Sequence, residues 1–298
     1  MIGRFPFFIV NPRAGMGAGH YAMRRVEEIA RRGGGEVLVL HRGEDVETAV
    51  EQAICQGATD IIAVGGDGTV GGVAGLLAGK DIVVGIVPAG TANMFARELG
   101  IPLSVSGSLD LIMGKHDIRC IDAMEVNGRR FVHQVVLGAG SEALSRITPE
   151  EKRFFGRSVY ALMGLRMFRD FRSLKVTAVI DGREISGHAS QVLIANAGIL
   201  GVHPFRLGPS IRVDDGQVDV VFMMGRSRAS FIISGMDLLY GNYDGSGNLE
   251  HYPAKRSVRI DTVPSTLIRA DGEFIGSTPM ELTVLPGAVR FIVPPCKE

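Results

Sequence analysis

The sequence contains no tryptophan, and aromatic residues of all kinds make up only 6% of it. Cysteine is scarce as well: Cys55, Cys120 and Cys296 are odd in number and far apart. That argues against a disulfide framework or a zinc site and points to a reducing compartment. Net charge is missing, since 32 Lys and Arg balance 32 Asp and Glu. No global field therefore steers the chain to nucleic acid or to an anionic bilayer, and any membrane contact is expected to be local. No apolar run approaches the roughly 18 residues of a spanning helix. Met1-Ile2-Gly3-Arg4-Phe5-Pro6 lacks a cleavable signal pattern, so a cytoplasmic location is expected. There is no low-complexity tract and no fixed-period repeat.

What the chain does have is glycine at the ends of short apolar runs. Ile61 to Val64 has strand length and strand residues, and it stops at Gly65-Gly66-Asp67-Gly68-Thr69. A helical pattern follows, with Val70, Val73, Ala74 and Leu77 at spacings of three and four, ended by Gly79. A second apolar strand, Ile82 to Val87, stops at Pro88-Ala89-Gly90-Thr91-Ala92-Asn93, where another helical pattern begins. Glycine lets backbone N–H groups approach a ligand, and a helix N-terminus presents orphan donors to an anion. The pattern predicts a phosphate site. It is not a Walker A loop, because no Gly-Lys-Ser/Thr follows. Gly66, Gly68 and Gly71 fit G-x-G-x-x-G, but the acidic ribose partner about 20 residues on is absent. Asp67 would repel phosphate unless a cation or a nucleotide hydroxyl meets it.

The remainder divides by style. Phe5 to Val10 and Glu36 to Leu40 read as strands, and Tyr21 to Arg32 and Asp45 to Cys55 as helices. This alternation predicts a doubly wound parallel α/β sheet over residues 1–118, with ligands at the carboxyl ends of its strands. Ser106 to Gly114 reads as a helix. Beyond it come hairpins: Arg119 to Val126 with Arg129 to Leu137 around Asn127-Gly128, and Leu174 to Ile180 with Arg183 to Gly187 around Asp181-Gly182. Further strands are expected at Gln191–Asn196, Gln217–Met224, Ser257–Thr262, Leu267–Ala270, Met280–Val284 and Val289–Val293, and a short helix at Ala229–Gly241. Residues 119–286 are therefore read as a mostly antiparallel β-sandwich domain. Residues 150–172 mix arginines with Phe154, Phe155, Tyr160, Phe168 and Phe171, as a helix pair covering the sheet or a surface that meets the bilayer. His133, His188 and His203 show no metal spacing and are read as structural.

The two Gly-rich turns, together with Asn11-Pro12-Arg13-Ala14-Gly15, Asp215-Gly216-Gln217-Val218-Asp219 and Ala270-Asp271-Gly272-Glu273, resemble the diacylglycerol kinase catalytic domain family in its compact bacterial lipid-kinase form. NAD kinases and 6-phosphofructokinases share only the GGDG turn. The resemblance implies an ATP- and Mg²⁺-dependent kinase that phosphorylates a hydroxyl of diacylglycerol or a similar lipid at the inner membrane face, with no nucleic-acid partner and a homodimer left open. It also implies that residues 287–298 return to complete the first domain. Asn11, Pro12, Arg13, Ala14 and Gly15 then fall on the nucleotide side, with Gly65, Gly66, Asp67, Gly68, Thr69, Thr91 and Asn93. Asp215, with the carbonyls of Arg212 and Gln217, falls at a structural Mg²⁺. Asp271 and Glu273 are the base candidates. If that segment is extended, their spacing of two puts both on one face, and paired carboxylates suit a proton acceptor. Met94 departs from the pattern, standing where the family usually has a carboxylate, and a thioether binds Mg²⁺ poorly. The alternatives are a soluble NAD or sugar kinase, with polar acceptors, and a non-catalytic or divergent nucleotide-binding homologue.

Overall fold

The computed structural model describes residues 5–15, 17–32, 34–41, 45–141, 168–169, 171–199, 207, 211–240 and 247–296. Most of the 150–172 segment, and His203, lie outside the described residues. The chain forms two compact units, Met1–Ile121 with Gly287–Glu298, and Asp122–Pro286.

The first unit alternates strand and helix: β1 (Pro6–Val10), α1 (Ala18–Arg31), β2 (Glu36–Val39), α2 (Val46–Cys55), β3 (Asp60–Gly65), α3 (Asp67–Leu77), β4 (Val83–Pro88), α4 (Met94–Glu98) and α5 (Val105–Met113). Strand β1 lies between β2 and β3, β3 pairs with β4, and all run parallel. A parallel sheet is covered on both faces, which is why β1 and β3 are buried along their whole length. Phe8, Val10, Ile62, Val64 and Val87 pack with Ala22 and Val26 of α1 and with Leu109 and Ile112 of α5. Side chains cap two of the helices: Asp45 accepts from the Glu47 amide, and Ser104 from the Gly107 amide.

The second unit is built mainly from antiparallel strands: β5 (Asp117–Val126, entering from the first unit), β6 (Arg129–Phe131), β7 (Gln134–Gly138), β8 (Leu174–Ile180), β9 (Arg183–Ala195), β10 (Val218–Met224), β11 (Leu249–Ala254), β12 (Ser257–Val263), β13 (Leu267–Ala270), β14 (Glu273–Ser277) and β15 (Met280–Val293). Helix α6 (Arg228–Tyr240) follows β10. The strand order is β14-β13-β7-β9-β8-β12-β15, with β10 between β9 and β11. The fold class expected from the pattern is present.

Four details differ from the pattern. The expected strand Arg129–Leu137 is two strands, β6 and β7, because the amides of residues 132–134 turn to an acidic side chain described below. Arg183–Gly187 and Gln191–Asn196 are parts of one long strand, β9. Strands β11 and β14 carry too few apolar residues to announce themselves. Met280–Val284 and Val289–Val293 are one 14-residue strand. Its first half pairs antiparallel with β12, and Arg290 and Phe291 near its end pair parallel with β4.

Candidate functional site

Three turns of the first unit, at the carboxyl ends of β1, β3 and β4, pack against one another. The Asn11 amide donates to the Val64 carbonyl at 2.8 Å, and its side-chain Nδ2 donates to Thr69 Oγ1 at 3.2 Å. Asn11 Oδ1 accepts from the Arg13 amide, closing the turn Asn11–Gly15 on itself, and Arg13 Nη2 reaches the His41 carbonyl. Gly15 sits at φ 61°, and a Cβ there would lie 2.4 Å from the Ala89 carbonyl oxygen. Between the other two turns, a Cβ on Gly90 would lie 2.6 Å from the Gly66 Cα. Glycine is required at these contacts because backbone meets backbone. Asn93 fastens the β4 turn by accepting from the Gly90 amide and donating to the Gly90 carbonyl, and Arg97 Nε holds the Ala92 carbonyl.

This places Asn11, Gly15, Gly65, Gly66, Asp67, Gly68, Thr69 and Asn93 in one constellation, with Pro12, Arg13 and Ala14 on its first turn and Thr91, exposed, on its third. Gly66 is the N-cap of α3 and offers no side-chain oxygen to the first amides of that helix. Those amides suit the oxygens of a phosphate.

Asp67 has a partner that the sequence did not disclose. Its Oδ1 accepts from the amides of Met94 at 2.5 Å and Phe95 at 3.3 Å, capping α4 from another turn. Asn93, the positional N-cap of α4, is left-handed at φ 50° and makes no capping bond. Carboxylate and phosphate can share this neighbourhood because the positive end of α4 holds the carboxylate. Asp67→Ala is expected to destabilise the first unit by about 1 kcal/mol, whereas Asp67→Asn keeps the acceptor and most of the stability. Thermal melts of the two variants check this.

In the second unit, Asp271 and Glu273 are not in an extended segment. Asp271 (φ 49°) and Gly272 (φ 86°) form the tight turn between β13 and β14, and Glu273 begins the returning strand. Asp271 is half-buried, and its carboxylate is surrounded by protein. Oδ1 accepts from the amides of His133 and Gln134, and Oδ2 from that of Val132, at 2.9–3.0 Å. Glu273 is exposed and paired with Arg129 at 2.7 Å. The second unit contains a ready comparison. Asp181, at φ 49° in the Asp181-Gly182 turn, accepts from the amides of Lys255, Arg256 and Ser257. Burial nudges the Asp181 carboxyl up, but the three amides and the Arg256 charge outweigh it and hold it below the usual range. Around Asp271 burial wins over the same number of amides, and with the Glu273 charge it pushes the carboxyl up to about 6.

Asp215 lies in a turn whose Gln217 donates both its amide and its Nε2 to the carboxylate. The Gly216 amide donates to Asp122 Oδ2 at 2.7 Å, and Asp122 and Asp219 are both buried. Burial pushes the Asp215 carboxyl up, Gln217 opposes this, and the charges of Asp219 and Asp122 add to it. Asp219 in turn meets His251 Nε2 at 2.5 Å. Carboxylate and carbonyl oxygens on a turn suit a hard divalent cation. Among the described residues no group of three His, Cys, Asp or Glu is placed to hold a metal by side chains alone. Carbonyls such as those of Arg212 and Gln217 would have to complete the shell. Arg212 itself pairs with Asp214 through Nε.

The spacing pattern missed Gly90, Arg97 and the amides of residues 132–134. The i,i+3 relation of Gly90 and Asn93 is a local signal that could have found the first of these. The amide tether has no local signal.

Fold and turns together define a two-unit protein: a parallel α/β unit whose glycine-rich turns suit phosphate, and a β-rich unit whose turns carry Asp181, Asp215 and Asp271. The diacylglycerol kinase catalytic domain profile matches residues 6–126, and the profile of the YegS C-terminal NAD kinase beta sandwich-like domain matches residues 135–293. The chain belongs to the diacylglycerol kinase catalytic domain family, in its YegS-like branch. It is 30% identical over 284 residues to a probable lipid kinase YegS-like protein of Pseudomonas aeruginosa, covering 94% of this chain and 92% of that one. A diacylglycerol kinase of Bacillus subtilis is 28% identical, covering 84% and 82%. A crystal structure of a candidate diacylglycerol kinase from Bacillus anthracis superposes with a TM-score of 0.81 at 25% identity, covering 99% of both chains.

Proposed function

We propose that this protein is an ATP- and Mg²⁺-dependent lipid kinase that transfers the γ-phosphoryl group to a hydroxyl of diacylglycerol or a similar amphiphile. The observation that carries this reading is the packing of three glycine-rich turns around the bare N-terminus of α3. The names of the relatives support the lipid class. In this reading the amides of Gly66, Gly68 and Thr69 hold the phosphates, while Asn11–Gly15, Thr91 and Asn93 flank the nucleotide. Asp271 takes the proton of the acceptor hydroxyl. The oxygen forms its bond to the γ-phosphorus as the bond to the bridging oxygen breaks, and ADP leaves. Asp215, with the carbonyls of Arg212 and Gln217, would hold a structural Mg²⁺, and the Mg²⁺ that accompanies ATP would offset phosphate charge.

Gly68 offers a test independent of turnover. It is exposed, and a Cβ there would meet nothing within 4 Å. The folded protein does not require glycine at 68; a phosphate lying on the backbone would. Gly68→Ala is expected to leave stability unchanged or raise it by up to about 1 kcal/mol, while ATP affinity falls on the order of tenfold. Calorimetric melting and ATP titration read the two effects separately. For the reaction, the protein is incubated with γ-labelled ATP, Mg²⁺ and mixed micelles of diacylglycerol or a sphingoid base. Label in an organic-extractable product is expected. Transfer only to NAD or a sugar phosphate, or none by folded protein, overturns the reading.

A further inference from the structure

Helix α6 carries its apolar residues on two faces, and among the described residues only one of them packs on a hydrophobic core. On the inner face Phe231 packs on Phe171 with ring centroids 5.9 Å apart, and against the core around Leu193, Val221 and Met223. The buried Ser234 hydroxyl donates to the Asn248 carbonyl. On the outer face Ala229, Ile232, Ile233 and Met236 follow the spacing i, i+3, i+4, i+7 and form one stripe. Ile232, Ile233 and Met236 are 48%, 43% and 52% exposed. No charged residue interrupts the helix from Ala229 to Met236. A helix face turned to water normally carries charge, and a continuous apolar stripe differs from scattered exposed side chains.

The N-terminal end of the same helix is basic. Arg226 and Arg228 are exposed, as are Arg169, Arg172 and Lys175 of the adjoining segment. Contacts join four of them in two pairs: Arg228 Nη2 donates to the Arg169 carbonyl and its guanidinium lies over the Phe168 ring, while Arg226 meets His188, the strand partner of Lys175. Against these five cations the sequence places Asp170 in the segment and Asp237 further along the helix. Cations at a helix N-terminus oppose the helix dipole, and the first turn has no acid to balance them. The charge of the cluster therefore does not stabilise the helix, although Arg228 also tethers Arg169, and the cluster stands out in a chain with no net charge.

Resting on the lipid-kinase reading, we propose that the outer face of α6 docks on an anionic lipid bilayer, with Ile232, Ile233 and Met236 entering the headgroup boundary and Arg226 and Arg228 meeting lipid phosphates. A basic rim beside an apolar stripe is the composition that interfacial helices use, and each cation near an anionic surface strengthens binding about fivefold.

Vesicle flotation tests this with the full chain. The wild type is expected to float with phosphatidylcholine vesicles that contain phosphatidylglycerol, weakly with phosphatidylcholine alone, and less as salt rises. The I232S/M236S and R226E/R228E variants, melting as the wild type does, are expected to lose binding to the anionic vesicles on the order of tenfold or more. Both should retain turnover of a short-chain acceptor dispersed as monomers. Unchanged flotation of the variants overturns the proposal. So does a dimer that I232S/M236S converts to monomer in sedimentation without changing flotation, since the stripe then belongs to a second copy. A wild type that floats as expected but phosphorylates no lipid removes the kinase reading and leaves the docking surface standing. Turnover of dispersed lipid without vesicle binding removes the docking surface alone.

Discussion

Replacing Asp271 by asparagine is expected to lower turnover by about 10²–10⁴-fold, the usual contribution of a positioned proton acceptor. The substitution keeps one oxygen for the amides of His133 and Gln134 and turns an amino group toward that of Val132, so one bond is lost at a cost of about 1–3 kcal/mol. The pH dependence separates a base from a tether. A carboxyl pushed up to about 6 is protonated in acid and competent above it. Wild-type kcat/KM should therefore rise through pH 6 and level off, and the residual activity of Asp271→Asn should lack that rise. Stability moves the other way. Between the ordinary value of 3.8 and about 6 the folded chain keeps a proton that the unfolded chain has lost. The contribution of this group is thus greatest below pH 3.8 and is lost as pH rises toward 6, by on the order of 3 kcal/mol. The difference in stability between wild type and Asp271→Asn should follow that course in denaturant melts across pH. Asp181→Asn is the control, because Asp181 makes the same kind of strap and is assigned no chemistry. Full turnover in Asp271→Asn, with only stability changed, would reduce Asp271 to a second Asp181.

Gly15→Val is expected to cost about 2–4 kcal/mol and to lower ATP affinity by well over tenfold. A β-branched residue at φ 61° is strained by about 1–3 kcal/mol. Its Cβ would also stand 2.4 Å from the Ala89 oxygen, so the first turn or the β4 turn must give way. Either movement separates the constellation, since Ala89 adjoins Gly90 and Gly90 touches Gly66. Gly17→Ala isolates the backbone term, because Gly17 is also left-handed, at φ 90°, but has open space around it. Melting and ATP titration of both variants decide the matter; affinity preserved in Gly15→Val would mean that the packed turns are not where nucleotide binds.

The parts of this protein that could be read from its sequence are those set by neighbours in the chain. Ile61 to Val64 is apolar and β-rich, Gly66 and Gly68 follow, and Val70, Val73 and Leu77 keep helical spacing, so strand, turn and helix are all specified within a few residues. The carboxyl ends of β1, β3 and β4 follow from that alternation. What escaped the sequence is carried by partners far along it. Asp67 caps a helix 27 residues on, and Asp271 breaks a strand 138 residues earlier by drawing in the His133 amide. Neither distance leaves a periodic trace. Glu273 was paired with Asp271 by spacing, but a left-handed Asp-Gly turn overrides the alternation of an extended strand.

Strand β15 also sets an order for assembly during translation. Arg290 and Phe291 cover the free edge of β4, yet the ribosome makes them only after the whole of Asp122–Pro286. Until then the nascent first unit offers an unpaired parallel edge to any passing chain, a state that invites aggregation. A chain truncated before residue 290 would carry the phosphate turns with the β4 edge of their sheet still open.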